Sequence, residues 1–206
     1  MKKIVMTMLI LSSGFLIAQK SPEKLGMQNK DLPKGIEEGS KVANFTGKNL
    51  QGENFELSQA LEKGAVVVYF YRGEWCPLCT RYFANLMDSL SLITDKGATF
   101  LAVSPEGNAA LKQTAEKAPK GLTLVSDVDG SIMKMFDVDF YVTEDYQKKV
   151  KTMLHTSIAE ANQQKEAVLP VPATYVLGKD GTVIYRYFDY NYKKRAPVSA
   201  IINALP

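Results

Sequence analysis

Seven consecutive apolar or aromatic residues, Ala65 to Tyr71, run into Arg72-Gly73-Glu74-Trp75 and then Cys76-Pro77-Leu78-Cys79. A strand covered on one face alternates apolar with polar residues. An unbroken β-branched and aromatic run fits a strand buried on both faces, at the centre of a sheet with helices on either side. Pro77 suits the first turn of a helix, where its missing N–H would have had no partner anyway. Phe83, Leu86, Met87, Leu90 and Ile93 follow at helical spacing, and Gly97 ends that helix. The sequence therefore predicts a buried strand that delivers a dithiol to the start of a helix.

Cys76 and Cys79 are the only cysteines. A disulfide between them spans one helical turn, a geometry strained enough to be reversible and expected to be exposed enough for a partner to reach. As a staple it would close a tiny loop and remove little unfolded-state entropy. A zinc site needs about four ligands, and the only other soft ligand is the lone histidine, His155, in a polar stretch where a solvated or capping role is expected. No metal and no cofactor is implied. Two inert buried thiols remain an alternative; the order of strand, Trp75, dithiol and helix favours redox chemistry. Cys76 at the helix start gains from unpaired N–H groups and the helix dipole, which stabilise a thiolate. Cys79, one turn in, is better shielded. Cys76 is thus the expected nucleophile and Cys79 the resolving thiol. Arg72 favours the thiolate and Glu74 opposes it; the sequence does not say which lies nearer.

The rest of the chain supplies the frame. Lys2 and Lys3 precede a largely apolar stretch, Ile4 to Ile17, with Ala18 as a cleavage residue. Residues 1–18 read as a secretory signal, so an exported, periplasmic protein without a membrane span in the mature form is expected. Residues 19–40, polar and holding Pro22 and Pro33, read as a flexible linker, and residues 41–206 as one domain. A hairpin around Gln51-Gly52 opens that domain. Strands Thr99–Val103 and Leu122–Val125 alternate with helices Asn108–Ala118 and Ile132–Phe136. Tyr141–Gln164 is a polar, helix-compatible insertion. Ala173–Leu177 and Thr182–Tyr187 flank the hairpin signal Gly178-Lys179-Asp180-Gly181. The formal charge of +3 falls to about +1 without Lys2 and Lys3, and no basic stripe points to nucleic acid. This order gives the fold class: α/β and thioredoxin-like, a mixed central sheet flanked by helices, with an N-terminal hairpin extension and a helical insertion before a cis-Pro strand.

That proline lies in Leu169-Pro170-Val171-Pro172-Ala173-Thr174. With a cis Val171–Pro172 bond, the turn brings Pro172 against the dithiol and leaves the Val171 backbone free to pair with an incoming strand. With a trans bond, Pro172 simply opens a strand. The dithiol about 90 positions upstream favours the first expectation.

The segment from Val67 to Cys79 resembles the peroxidatic region of the alkyl hydroperoxide reductase/thiol-specific antioxidant family, and more narrowly its peroxiredoxin-like branch with an Arg-Gly-x-Trp-Cys-Pro-x-Cys run. Val171-Pro172-Ala173-Thr174-Tyr175-Val176-Leu177 is similar to that branch and to exported thioredoxin-like disulfide reductases. The resemblance covers Gly39 to Pro206. It implies Cys76 and Cys79 as reacting residues, supported by Trp75, Pro77, Val171, Pro172 and Arg72. It also exposes two departures. The family usually places Thr or Ser three residues before the attacking cysteine and an arginine near the later strand; here these positions hold Gly73 and Pro172. With Arg72 expected to be a solvated charge, the favoured function is thiol–disulfide exchange with a protein disulfide or dithiol partner. The alternative is a peroxidase that takes a hydroperoxide substrate plus a thiol reductant. A third reading is a non-enzymatic binding module, with the Tyr187, Tyr190 and Tyr192 cluster beside Lys193, Lys194 and Arg195 as its surface.

Overall fold

The computed structural model describes residues 21–28 and 30–206. The elements follow one another as β1 (Thr46–Asn49), β2 (Asn54–Glu56), α1 (Leu57–Lys63), β3 (Val66–Phe70), α2 (Pro77–Met87), α3 (Leu90–Thr94), β4 (Thr99–Ser104), α4 (Asn108–Lys117), β5 (Thr123–Ser126), α5 (Ser131–Met135), β6 (Asp139–Tyr141), α6 (Glu144–Leu154), α7 (Ile158–Ala161), β7 (Val168–Pro170), β8 (Thr174–Leu177), β9 (Val183–Tyr187) and α8 (Val198–Ala204). Seven strands form one sheet in the order β2-β1-β5-β4-β3-β8-β9. β3 runs parallel to β4 and antiparallel to β8, so the sheet is mixed, as predicted.

β3 is fully buried because both of its faces are covered. Side chains alternate across a strand. Val67, Tyr69 and Tyr71 accordingly pack in one core with Phe83 and Leu86 of α2 and Ile201 of α8. Val66, Val68 and Phe70 pack in the other with Leu57, Phe136 and Tyr175. The predicted hairpin is β1 and β2, and the polar insertion is α6 and α7. Among the described residues, no helix is long and apolar enough to cross a membrane.

Four expectations change. The helix expected to run to Gly97 breaks at Asp88 and Ser89, residues of modest helix propensity, while Leu86, Leu90 and Ile93 stay buried across the break. β6 and β7, too short to stand out in the sequence, form a separate two-stranded sheet that frames the insertion. Described residues of the 19–40 segment are docked rather than tethering. Leu25 and Met27 are buried, Gln28 N–H donates to the Tyr141 carbonyl at 2.9 Å, and Gly35 N–H donates to that of Asp137 at 2.8 Å. Isolated apolar residues in polar sequence look like a linker, and main-chain bonding of this kind leaves no compositional mark. Residues 1–18, expected to be a secretory signal, lie outside the described residues.

The fourth change concerns Pro172. No peptide bond among the described residues is cis, so the expected cis-Pro strand is opened by a trans Val171–Pro172 bond. Ala173 N–H donates back to the Val171 carbonyl at 2.7 Å, closing a tight turn over Pro172. Val171 N–H donates to the Val138 carbonyl, also at 2.7 Å. Both main-chain groups of Val171 are thus used internally, and the free pairing edge expected there does not exist.

Candidate redox-active site

The chain leaves the sheet after β3, still tied to β4 by a bond from Tyr71 N–H to the Val103 carbonyl. Gly73 then turns with φ +145°, in a region that L side chains rarely adopt. Cys76 is the last extended residue before α2, and its carbonyl accepts the N–H groups of Cys79 and Thr80 at 2.9 and 3.2 Å. Pro77 is the first residue of α2 and is exposed. The sequence therefore placed the dithiol correctly on its helix. Its accessibility is different from that expected: Cys76 is 0% and Cys79 1% exposed, and both are free thiols.

Cys79 and Arg72 together favour ionisation of the buried Cys76. Instead of lying in solvent as expected, Arg72 is only 4% exposed. Its Nη2 donates to Cys76 Sγ at 3.2 Å, and its Nη1 donates to the Tyr146 hydroxyl at 2.7 Å. The guanidinium lies 4.0 Å from the centre of the Tyr192 ring and 5.4 Å from that of Trp75. A buried cation is costly unless paired and hydrogen-bonded; here a sulfur, a phenol and two aromatic faces compensate it. Hydrogen bonding from the Cys79 side chain, followed by the charge and hydrogen bond of Arg72, holds Cys76 well below the usual thiol range despite burial. Burial, then the hydrogen bond and charge of Cys76, push Cys79 well above that range. The two thiols are thus differentiated, and of Arg72 and Glu74 it is Arg72 that lies at the sulfur. Glu74 instead pairs with Lys117.

Gly73 has a specific reason to lack a side chain. A Cβ there would lie 2.5 Å from Trp75 Nε1 and 2.6 Å from Glu106 Oε1. A side chain at this position would meet this indole and this carboxyl. Both Glu106 oxygens accept the Glu74 N–H at 2.8 Å, and burial, foremost, pushes the carboxyl up to about 8. The Trp75 N–H has no hydrogen-bond partner among the described residues.

Of the other predicted residues, Val171 shares a core with Trp75 and the dithiol, and Pro172 is buried in the bend before β8. His155 is exposed and caps the C-terminal end of α6 in the left-handed conformation. Sequence reasoning missed Tyr146, Tyr192 and Arg195 as site residues. Arg195 Nη2 lies 3.7 Å from Cys79 Sγ. A groove of about 170 Å³, lined by Arg72, Leu78, Tyr146, Met153, Leu154 and Tyr192 among others, leads to the guanidinium.

A central β3 in a mixed sheet and a helix opening on a dithiol define a protein of thioredoxin-like fold. The AhpC/TSA family model matches residues 39–186, and the chain belongs to that family. Chloroplastic peroxiredoxin Q of Triticum aestivum is 30% identical over 154 residues, which are 74% of this chain and 59% of that protein. Chloroplastic peroxiredoxin Q of Oryza sativa subsp. japonica is 29% identical over the same coverage. The match thus spans about three-fifths of the length of these relatives. Among solved structures, peroxidoxin BcpB of Mycobacterium tuberculosis superposes with a TM-score of 0.62 at 18% identity, covering 82% of this chain and 96% of that one. Peroxiredoxin Q of Xanthomonas campestris gives 0.57 at 21% identity, covering 78% and 88%. These likenesses share the fold.

Proposed function

We propose that the protein is a thiol-dependent peroxidase in which Cys76 is the attacking and Cys79 the resolving thiol. The observation that carries this reading is the buried contact between Arg72 Nη2 and Cys76 Sγ at 3.2 Å. A guanidinium there stabilises the thiolate and presents further donors to the oxygen that departs with negative charge. The Cys76 thiolate attacks the nearer oxygen of a hydroperoxide, the O–O bond breaks, and Cys76 becomes a sulfenic acid while the leaving alkoxide or hydroxide takes up a proton. Cys79 sulfur then attacks the sulfenic sulfur, forming the Cys76–Cys79 disulfide and releasing water. A dithiol reductant returns both thiols.

This reverses the order of the two enzyme readings drawn from sequence. A hydroperoxide is small enough to enter the narrow groove lined by Arg72, whose guanidinium touches the buried sulfur. The Val171 backbone that would have gripped a protein disulfide is already bonded. The missing family donors, which favoured disulfide exchange, are offset by Arg72. Relatives named peroxiredoxin support the same conclusion. Exchange with a dithiol remains as the recycling half of the cycle. Export to the periplasm belongs to the proposal on the pattern of residues 1–18 alone, and fractionation of the tagged full chain tests it.

The functional test compares turnover of hydrogen peroxide and of an organic hydroperoxide, with thioredoxin recycling, against reduction of a protein disulfide. The peroxidase reading expects peroxide turnover to dominate and Cys76→Ser to abolish it. Efficient protein-disulfide reduction with no peroxide turnover would overturn it.

A further inference from the structure

Each sulfur of the dithiol faces its own arginine. Arg72 and its contact with Cys76 are local in sequence; Arg195 comes from the loop before α8. Its Nε donates to the Tyr69 hydroxyl at 3.2 Å, its Nη1 donates to the carbonyls of Tyr192 and Lys194, and its Nη2 lies 3.7 Å from Cys79 Sγ. Tyr69 stands on β3, so the guanidinium is fixed between the central strand and its own loop. Nothing in the attack on peroxide requires a cation on the second sulfur.

We propose that Arg195 is a catalytic residue of the resolving step, holding Cys79 sulfur as an anion once Cys76 has been oxidised. The step rests on the peroxidase reading above. In the reduced protein the Cys76 anion faces Cys79, and its hydrogen bond and charge keep the Cys79 proton in place, reinforcing burial. Oxidation makes Cys76 a neutral sulfenic acid, so that anion disappears. The cations Arg195 and Arg72 remain, and both favour ionisation of Cys79. Cys79 then loses its proton, its sulfur attacks the Cys76 sulfenic sulfur, the S–O bond breaks, and the departing hydroxide takes the proton to leave as water. The pair is thereby timed: Cys79 is a poor nucleophile until Cys76 needs one. On reduction, the same guanidinium stabilises Cys79 as the leaving thiolate. The groups facing Cys79 in this scheme are Cys76, Arg72, Arg195 and the hydroxyls of Tyr69 and Tyr71.

The test separates the two steps in single turnovers of the full chain, using hydrogen peroxide and the fluorescence of Trp75, the only tryptophan. In Arg195→Met, resolution is expected to slow by about tenfold or more, the effect of removing a cation this close to a thiol, and to slow more than oxidation does. A sulfenic-acid trap such as dimedone then labels Cys76 in the variant but scarcely in wild type. Arg195→Lys, which retains the charge, recovers part of the rate and controls for the loop contacts. Resolution in Arg195→Met as fast as in wild type overturns the proposal. If wild-type Cys76 is not oxidised by peroxide, the peroxidase reading fails instead. The assignment of Arg195 is then decided by titrating Cys79 in Cys76→Ser through its thiolate absorbance. Replacing Arg195 by Met should raise that titration by about one pH unit or more, and no rise rejects the assignment.

Discussion

Replacing Arg72 by Met removes one charge and one hydrogen bond from Cys76 Sγ while filling much of the same volume. An opposite charge at this range moves a thiol titration by about one to three pH units, and a hydrogen bond to an ion contributes about 1.5–3 kcal/mol. Burial of Cys76 remains and opposes ionisation, so the Cys76 titration should rise by about one to three pH units. Cys76 lies well below the usual thiol range, so more of it is thiolate at neutral pH than of an ordinary thiol. Reaction with peroxide should therefore rise less steeply with pH near neutrality in wild type than in the variant. A second loss is independent of pH: without Arg72, no guanidinium meets the departing oxygen, a contribution of roughly 10²–10³ in rate for one such donor. The expected rate at neutral pH is thus at least about a hundredfold below wild type, and alkaline pH restores only part of it. Stopped-flow Trp75 fluorescence gives the rate, and thiolate absorbance in a Cys79→Ser background gives the titration. A full wild-type rate at neutral pH in Arg72→Met would refute the reasoning. So would complete recovery at alkaline pH, which would leave Arg72 no role beyond ionising Cys76.

Further outcomes follow from the same geometry. Gly73→Thr, which restores the family's hydroxyl position, should destabilise the protein by about 2–4 kcal/mol in urea unfolding, because its Cβ meets Trp75 and Glu106 at 2.5 and 2.6 Å, and it should not raise peroxide turnover. Glu106 titrates higher in the folded protein than its ordinary 4.5, at about 8. Its protonated form therefore stabilises the fold fully below about 4.5, and that contribution fades as pH rises through about 8. Glu106→Gln should remove this decline, on the order of a few kcal/mol, in unfolding measured across that window. Arg72 stabilises the reduced form, so Arg72→Met should shift the Cys76–Cys79 couple to a more negative potential by about 30 mV for each tenfold lost, read by equilibration with a dithiol buffer.

What was legible in the sequence was what is encoded locally. β3 reads directly from seven uninterrupted apolar residues, and the start of α2 from Pro77 and the spacing behind it. The placement of Cys76 just before α2 and Cys79 within it followed from the same helix start. Arg72 was misjudged because its burial depends on Tyr146 in α6 and Tyr192 before α8, two aromatic residues that only the fold brings to it. Arg195 was likewise noticed only as part of a basic and aromatic cluster, since its approach to Cys79 is set by the return of the chain beneath β3. The depth of the sulfurs has the same origin: a helix N-terminus is ordinarily reached by solvent, and here the insertion and the final loop flank it. Pro172 shows the converse limit. Its local sequence suits a cis or a trans turn, and the bond from Ala173 N–H to the Val171 carbonyl accompanies the trans form found.

The most direct measurement is mass spectrometry of the fully reduced protein after a single equivalent of hydrogen peroxide, with no reductant present. A buried Cys76 thiolate that attacks peroxide and is captured by Cys79 predicts loss of two hydrogens and a single linkage between these residues. In Cys79→Ser it predicts gain of one oxygen on Cys76. Unchanged masses in both proteins, with peroxide remaining in solution, would contradict the account.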